Sequence, residues 1–110
     1  MSEVGDLAAR LRAFADARDW EKFHTPKNLA SALSVEASEL LEIFQWMTPE
    51  ESSDASNNES TLVDIKDECA DVFIYLVRIA DILGVDLINE ANAKVDRNEH
   101  RFPATPLKRI

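Results

Sequence analysis

Between Thr61 and Leu83 the chain runs Val72, Phe73, Ile74, Tyr75, Leu76, Val77 without a polar break. Apolar residues recur at helical spacing through the segment, and Gly84 directly after it is a natural C-cap. Wound on a helix, that run covers nearly every side, and a helix apolar all round is buried. A bundle made from only 110 residues cannot easily surround one helix completely. The segment therefore predicts burial against a second copy, as a homodimer or a dimer of dimers (a homotetramer).

Three more segments read as helices and none as a convincing strand. The first runs from about Glu3 to Arg18, with Val4, Leu7, Leu11 and Phe14 in one stripe. The next opens at Thr25-Pro26, an N-cap followed by proline at the first helical position, and runs to about Met47. Thr48-Pro49 ends it. Residues 48–60 are rich in Ser, Asn and Glu and read as a polar surface loop. After the 61–83 helix, Asp86 caps a last helix reaching about Asn98. The tail, about 101–110, holds Pro103 and Pro106 and reads as irregular. Two glycines and four prolines are too few for a turn-rich β fold. The expectation is one all-α domain over 1–110, a four-helix bundle.

Charge narrows the partners. Twelve Lys and Arg stand against 21 Asp and Glu, a formal net of -9. Such a surface argues against nucleic-acid polymers and against anionic membranes. No apolar run reaches membrane-spanning length and no signal-peptide core opens the chain. The one cysteine, Cys69, cannot close an intrachain disulfide, so the cytoplasm is the expected compartment. Cys69 reads as small apolar filling on the core face. The charge is also uneven. Residues 29–93 hold 14 acids against two bases, whereas residues 94–110 hold five bases against two acids.

The position of those acids matters more than their number. Leu29, Leu33, Leu40, Phe44 and Met47 share one helix face, and Glu36 falls within that stripe with Glu39 at its edge. On the 61–83 helix, Glu68, Asp71 and Tyr75 share one flank beside the apolar face. A carboxylate on an inward face is costly unless something compensates it. Only Lys66 and Arg78 lie between residues 28 and 93, and Lys66 points about 160° away from Glu68. A divalent cation is the better compensator. Oxygen ligands without paired histidine favour Mg²⁺ or Mn²⁺ over zinc. Taken singly, each acid also fits a solvated helix face. A di-iron carboxylate bundle would need two Glu-x-x-His pairs; the chain has only Glu21 to His24, outside the helices.

The pattern Glu36-x-x-Glu39 followed by Glu68-x-x-Asp71 resembles the signature of the MazG-like, all-α nucleoside triphosphate pyrophosphohydrolases. The stretches from Arg18 to Leu29, from Glu42 to Trp46 and from Asp71 to Leu76 resemble their dCTP pyrophosphatase branch. This resemblance spans about Leu7 to Pro103. It implies hydrolysis of a dNTP, dCTP or a modified dCTP, to the monophosphate and pyrophosphate by water attack at the α-phosphorus, in the service of nucleotide-pool control. It implies Mg²⁺ held by Glu36, Glu39, Glu68 and Asp71, with Glu39 the first choice for general base and Glu36 beside it. It implies phosphate contacts from Lys94, Asn98 and Arg101, whose spacing also fits ordinary charge at a helix C-terminus. It implies that Trp20 and Trp46 meet the nucleobase, with Tyr75 shaping the pocket and His24 and Asn28 offering hydrogen bonds to base or sugar. The tryptophans equally fit caps on the core or a subunit interface. One departure stands out: some relatives preferring dCTP carry a helix-1 histidine where this chain has Leu11-Arg12-Ala13. A related enzyme acting on phosphoribosyl-ATP and a non-catalytic helical module stabilised by metal are the alternatives.

Overall fold

The computed structural model describes residues 2–105. Five α-helices follow one another: α1 (Glu3–Ala17), α2 (Pro26–Phe44), α3 (Pro49–Ser53), α4 (Glu59–Leu83) and α5 (Leu87–Arg101). A 3₁₀ turn, Ala55–Asn57, precedes α4, and there is no strand among the described residues. The all-α expectation holds, as do the starts at Thr25-Pro26 and Asp86. Thr25 Oγ1 accepts from the Asn28 backbone N–H, and an Asp86 carboxylate oxygen accepts from that of Asn89. Gly84 ends α4 at φ 69°, the left-handed conformation that costs glycine nothing.

The 48–60 segment departs from its reading as a loop. Thr48 and Glu51 form a reciprocal capping box that starts α3 on Pro49. The Thr48-x-x-Glu51 spacing carries that signal; the surrounding serines and asparagines obscure it. The helix before this segment stops at Phe44, short of Met47, and α5 continues to Arg101. Residues 106–110, and with them Pro106, lie outside the described residues.

α4 is the axis of the fold. It packs most extensively along α2, and α1 lies against it as well. Leu29 of α2 and Val77 of α4 are the largest fully buried side chains, joined in the core by Ala15 of α1 and Ala80 of α4. α5 makes no extensive contact with any other helix, so the chain spans 63 × 37 × 26 Å. Its radius of gyration is 17.9 Å, against about 13 Å for a compact chain of this length. Within the single chain the expected four-helix bundle is thus α1 and α2 packed on α4 as axis, with α5 splayed from them. α4 is not enclosed within the single chain either: Phe73, Leu76, Ile82 and Leu83 are exposed. Cys69 is exposed too, which corrects its placement in the core.

The α1–α2 connection positions the remaining aromatic residues. Asp19 takes φ 54°, a left-handed conformation that Asp tolerates better than most residues. The chain doubles back there, and the Trp20 backbone N–H donates to the Ala15 carbonyl at 3.0 Å. Trp20 then meets Phe14 edge-on with ring centroids 5.5 Å apart. The backbone N–H of His24 donates to the Trp20 carbonyl at 3.1 Å, which sets the imidazole one turn beyond the indole.

Candidate metal centre and adjoining cavity

Glu36 and Glu39 stand three apart on α2, and Glu68 and Asp71 three apart on α4, so each pair projects from one side of its helix. Because α2 and α4 pack along each other, the two sides meet. Oxygen atoms of Glu36, Glu39 and Glu68 lie within 4.8 Å of one another, as do those of Asp67, Glu68 and Asp71. Glu68 belongs to both groups and joins them. Asp67 is the addition that the four-acid pattern missed; it is exposed and adjacent to Glu68 in sequence.

These acids have no internal compensation. None of the ion pairs among the described residues involves Glu36, Glu39, Glu68 or Asp71. One oxygen of Glu36 and one of Glu68, Oε2 in each case, is buried with no hydrogen-bond partner. A buried acceptor without a donor is destabilising. The Glu36 carboxyl is pushed up to about 7, first by the adjacent Glu39 carboxyl, then by burial and by Glu68. Burial raises Glu68 as well, and Glu39 and Asp71 add to the rise. Several carboxylates in one site cannot all ionise cheaply, and Glu36 holds its proton into the neutral range. An all-oxygen donor set with inward-facing, unsatisfied oxygens fits a hard divalent cation. Glu36, Glu39, Glu68 and Asp71 are the residues that would hold it.

A cavity of about 390 Å³ opens beside this cluster, with Asp71 in its wall. Trp20, His24, Tyr75, Arg78 and Leu11 also line it. The structure therefore brings three of the expected base contacts, Trp20, His24 and Tyr75, to one apolar-walled space reaching the acids. Leu11 stands in the wall itself, which puts the helix-1 departure at the cavity surface. Asn28 does not line this cavity; its side-chain amide donates to the Phe23 carbonyl at 3.0 Å and braces the turn before α2. Trp46 does not line it either and is 89% exposed. Lys94, Asn98 and Arg101 sit on α5; none of them lines the cavity, and neither Lys94 nor Arg101 pairs with one of the acids among the described residues.

Sequence reasoning passed over a second polar cluster. Arg78 is buried at 5% exposure. Its Nε donates to His24 Nδ1 and its Nη1 to Asp81 Oδ2, both at 3.3 Å. Arg12 of α1 donates to both Asp81 oxygens, at 2.6 and 3.0 Å. Arg12 and Arg78 together hold the Asp81 carboxyl below the usual range, Arg12 contributing the larger share. His24 is lowered, first by burial and then by the Arg78 charge. The available signal was a cation following an apolar run, the same anomaly that exposed Glu36.

An all-helical chain with paired acids on two packed helices defines a class of acidic, metal-competent helical sites. Within that class the match is specific. The MazG-like family model fits residues 31–108, and the chain belongs to that family. It is 44% identical over 96 residues to the human dCTP pyrophosphatase 1, and 42% identical over 95 residues to the bovine one. Those alignments cover 86% of this chain and 56% of the relatives' length, so the chain spans little more than half of them. The crystal structure of a pyrophosphatase from Archaeoglobus fulgidus superposes with a TM-score of 0.86 at 38% identity, covering 94% of this chain and 95% of that one. No helix of the described residues is long and apolar enough to cross a membrane.

Proposed function

We propose that this chain is a divalent-metal-dependent nucleoside triphosphate pyrophosphohydrolase whose substrate is dCTP or a modified dCTP. The carrying observation is the acid cluster: oxygens of Glu36, Glu39 and Glu68 within 4.8 Å, two inward oxygens unpartnered, and a base-sized cavity beside it. The dCTP pyrophosphatase names of the relatives supply the substrate class.

Mg²⁺ (or Mn²⁺), when bound, supplies positive charge to the triphosphate oxygens and eases proton loss from water. Glu36 and Glu68 are cast as ligands, since each keeps a buried oxygen that no protein donor reaches. Glu39 has no such sequestered oxygen and is cast as the base that takes the water's proton. The water oxygen bonds to the α-phosphorus, the α–β bridging P–O bond breaks, and pyrophosphate leaves with the bridging oxygen. Trp20 and Tyr75 would give the base an aromatic wall, and Asp71 joins that wall to the metal centre.

The single chain is expected to be one part of an assembly. It exposes 8733 Å², against about 6,100 Å² for a folded monomer of this mass. Counted on both copies, that excess is the size of a large obligate interface. In a homodimer or homotetramer, Lys94, Asn98 and Arg101 of the splayed α5 are proposed to reach the phosphates of a neighbouring site, and Trp46 to lose its exposure.

The test is a substrate panel of dCTP, 5-substituted dCTP, dUTP, dATP and ribonucleotides with Mg²⁺, run in ¹⁸O-labelled water. Pyrophosphate and an ¹⁸O-labelled monophosphate should form, with cytosine deoxynucleotides preferred. Orthophosphate as first product, or label in the pyrophosphate, would overturn α-attack.

A further inference from the structure

The structure assigns Arg78 a positioning role: its Nε–H on His24 Nδ1 fixes the imidazole as the Nε2–H tautomer, so that His24 offers the cavity a hydrogen-bond donor and never an acceptor. Valence decides the tautomer. A guanidinium nitrogen carries protons and no available lone pair, so it can only donate. Arg78 Nε reaches His24 Nδ1 at 3.3 Å, and that nitrogen must therefore be the lone-pair nitrogen of a neutral ring. The ring's one proton is left on Nε2.

Arg78 is itself held. It is buried, and its Nη1 donates to Asp81 Oδ2 at 3.3 Å, while Arg12 grips both oxygens of that carboxylate from α1. The chain of contacts ties α1, the α1–α2 connection and α4 together at one wall of the cavity. A second cation on the imidazole would meet the Arg78 charge, which agrees with the lowered His24. The device rests on the proposed nucleotide reading only in its consequence. A base seated between Trp20, Tyr75 and His24 would have to present an acceptor to His24, such as a ring nitrogen or carbonyl oxygen of a pyrimidine.

The measurement is the ¹⁵N spectrum of the two histidines in the intact protein at about pH 8, where an ordinary imidazole is neutral. His100, exposed on α5, serves as the unconstrained reference. His24 should show one pure tautomer with the proton on Nε2, and Arg78→Met should convert it to a mixture like His100. Against the preferred nucleotide, Arg78→Met should also raise KM by about three- to tenfold, the loss of an oriented neutral hydrogen bond, with the larger share in KM rather than kcat. Should Arg78→Met fail to fold, Arg78→Lys keeps a charge against Asp81 but lacks the fixed Nε–H, and should likewise mix the tautomers. A proton on Nδ1 or a mixture in the unmodified protein, or a tautomer unchanged in either variant, overturns the inference. The spectrum needs no nucleotide. An Nε2–H ring in a protein that hydrolyses no nucleotide would sink the substrate reading and leave the positioning role standing.

Discussion

Two polar clusters flank α4, and they are built on opposite principles. Toward α1, Asp81 meets Arg12 and Arg78, and Arg78 meets His24, so each charge is answered by protein. Toward α2, Glu36, Glu39, Glu68 and Asp71 meet mainly one another, and two oxygens have no partner. A satisfied cluster holds geometry. An unsatisfied one holds free energy that a ligand can release, and this is why the acids, rather than the arginines, are the candidate centre of reaction. The same helix carries both, half of its length apart.

The comparison is broken most forcefully by neutralising one acid. Glu39→Gln should lower kcat by about 100-fold or more, since it removes the proposed base and one metal oxygen. Its apo stability, read by thermal unfolding with chelator present, should stay level or rise, because a mutually repelling charge is gone. A large fall in Tm would show that the acids stabilise the fold by themselves. The next effect is that of the ion. Mg²⁺ at 100 times its dissociation constant should add about 2.7 kcal/mol to stability. With the ion concentration then held fixed, the gain should be larger at pH 8 than at pH 6, because Glu36, pushed up to about 7, must release its proton before it can hold a cation. An equal gain at both pH values would remove Glu36 from the ligand set.

Much of this was legible beforehand, for physical reasons that differ by residue. The caps at Thr25 and Asp86 and the αL glycine at Gly84 act over a few residues, so their chemistry survives in the bare sequence. The acid pairs were legible because a charge inside an apolar stripe is anomalous wherever the helix packs. What was not legible depends on distance between elements. Nothing local tells that α5 leaves the bundle, since a helix carries the same stripe whether its partner is its own chain or a copy. Trp46 follows the same rule: its neighbours along the chain do not say whether it is covered. His24 was singled out, but its partner Arg78 is 54 positions away and enters only through the packing of the connection on α4. Cys69 misled because its wheel position looks inward, while the α2–α4 contact leaves that side open.

A smaller effect sharpens the other side of the comparison. Asp81→Asn should cost about 2 kcal/mol of stability, since it leaves Arg78 buried beside a weaker acceptor. The loss should appear in urea unfolding with the slope unchanged. If Asp81→Asn is instead neutral, the α1-side cluster does not hold geometry, and the contrast with the acids collapses.

The finest distinction is in the direction of the pH response. Asp81 is held below its ordinary value of 3.8 in the folded chain, so the unfolded chain takes up its proton first as pH falls. Its contribution is fully present above 3.8 and is lost as pH drops through the lower folded value. Glu36 runs the other way. Its folded value of about 7 lies above the ordinary 4.5, so the folded chain keeps a proton that the unfolded chain has released. Its contribution is therefore favourable at low pH and declines as pH rises from 4.5 through about 7. Apo protein should accordingly lose stability on both sides: toward acid through Asp81, and toward pH 8 through Glu36. Asp81→Asn should flatten only the acid limb, and Glu36→Gln only the neutral limb, in unfolding free energies measured across the range with chelator present. If one substitution flattens both limbs, the two clusters are a single electrostatic unit, and α4 does not insulate a structural side from a reactive one.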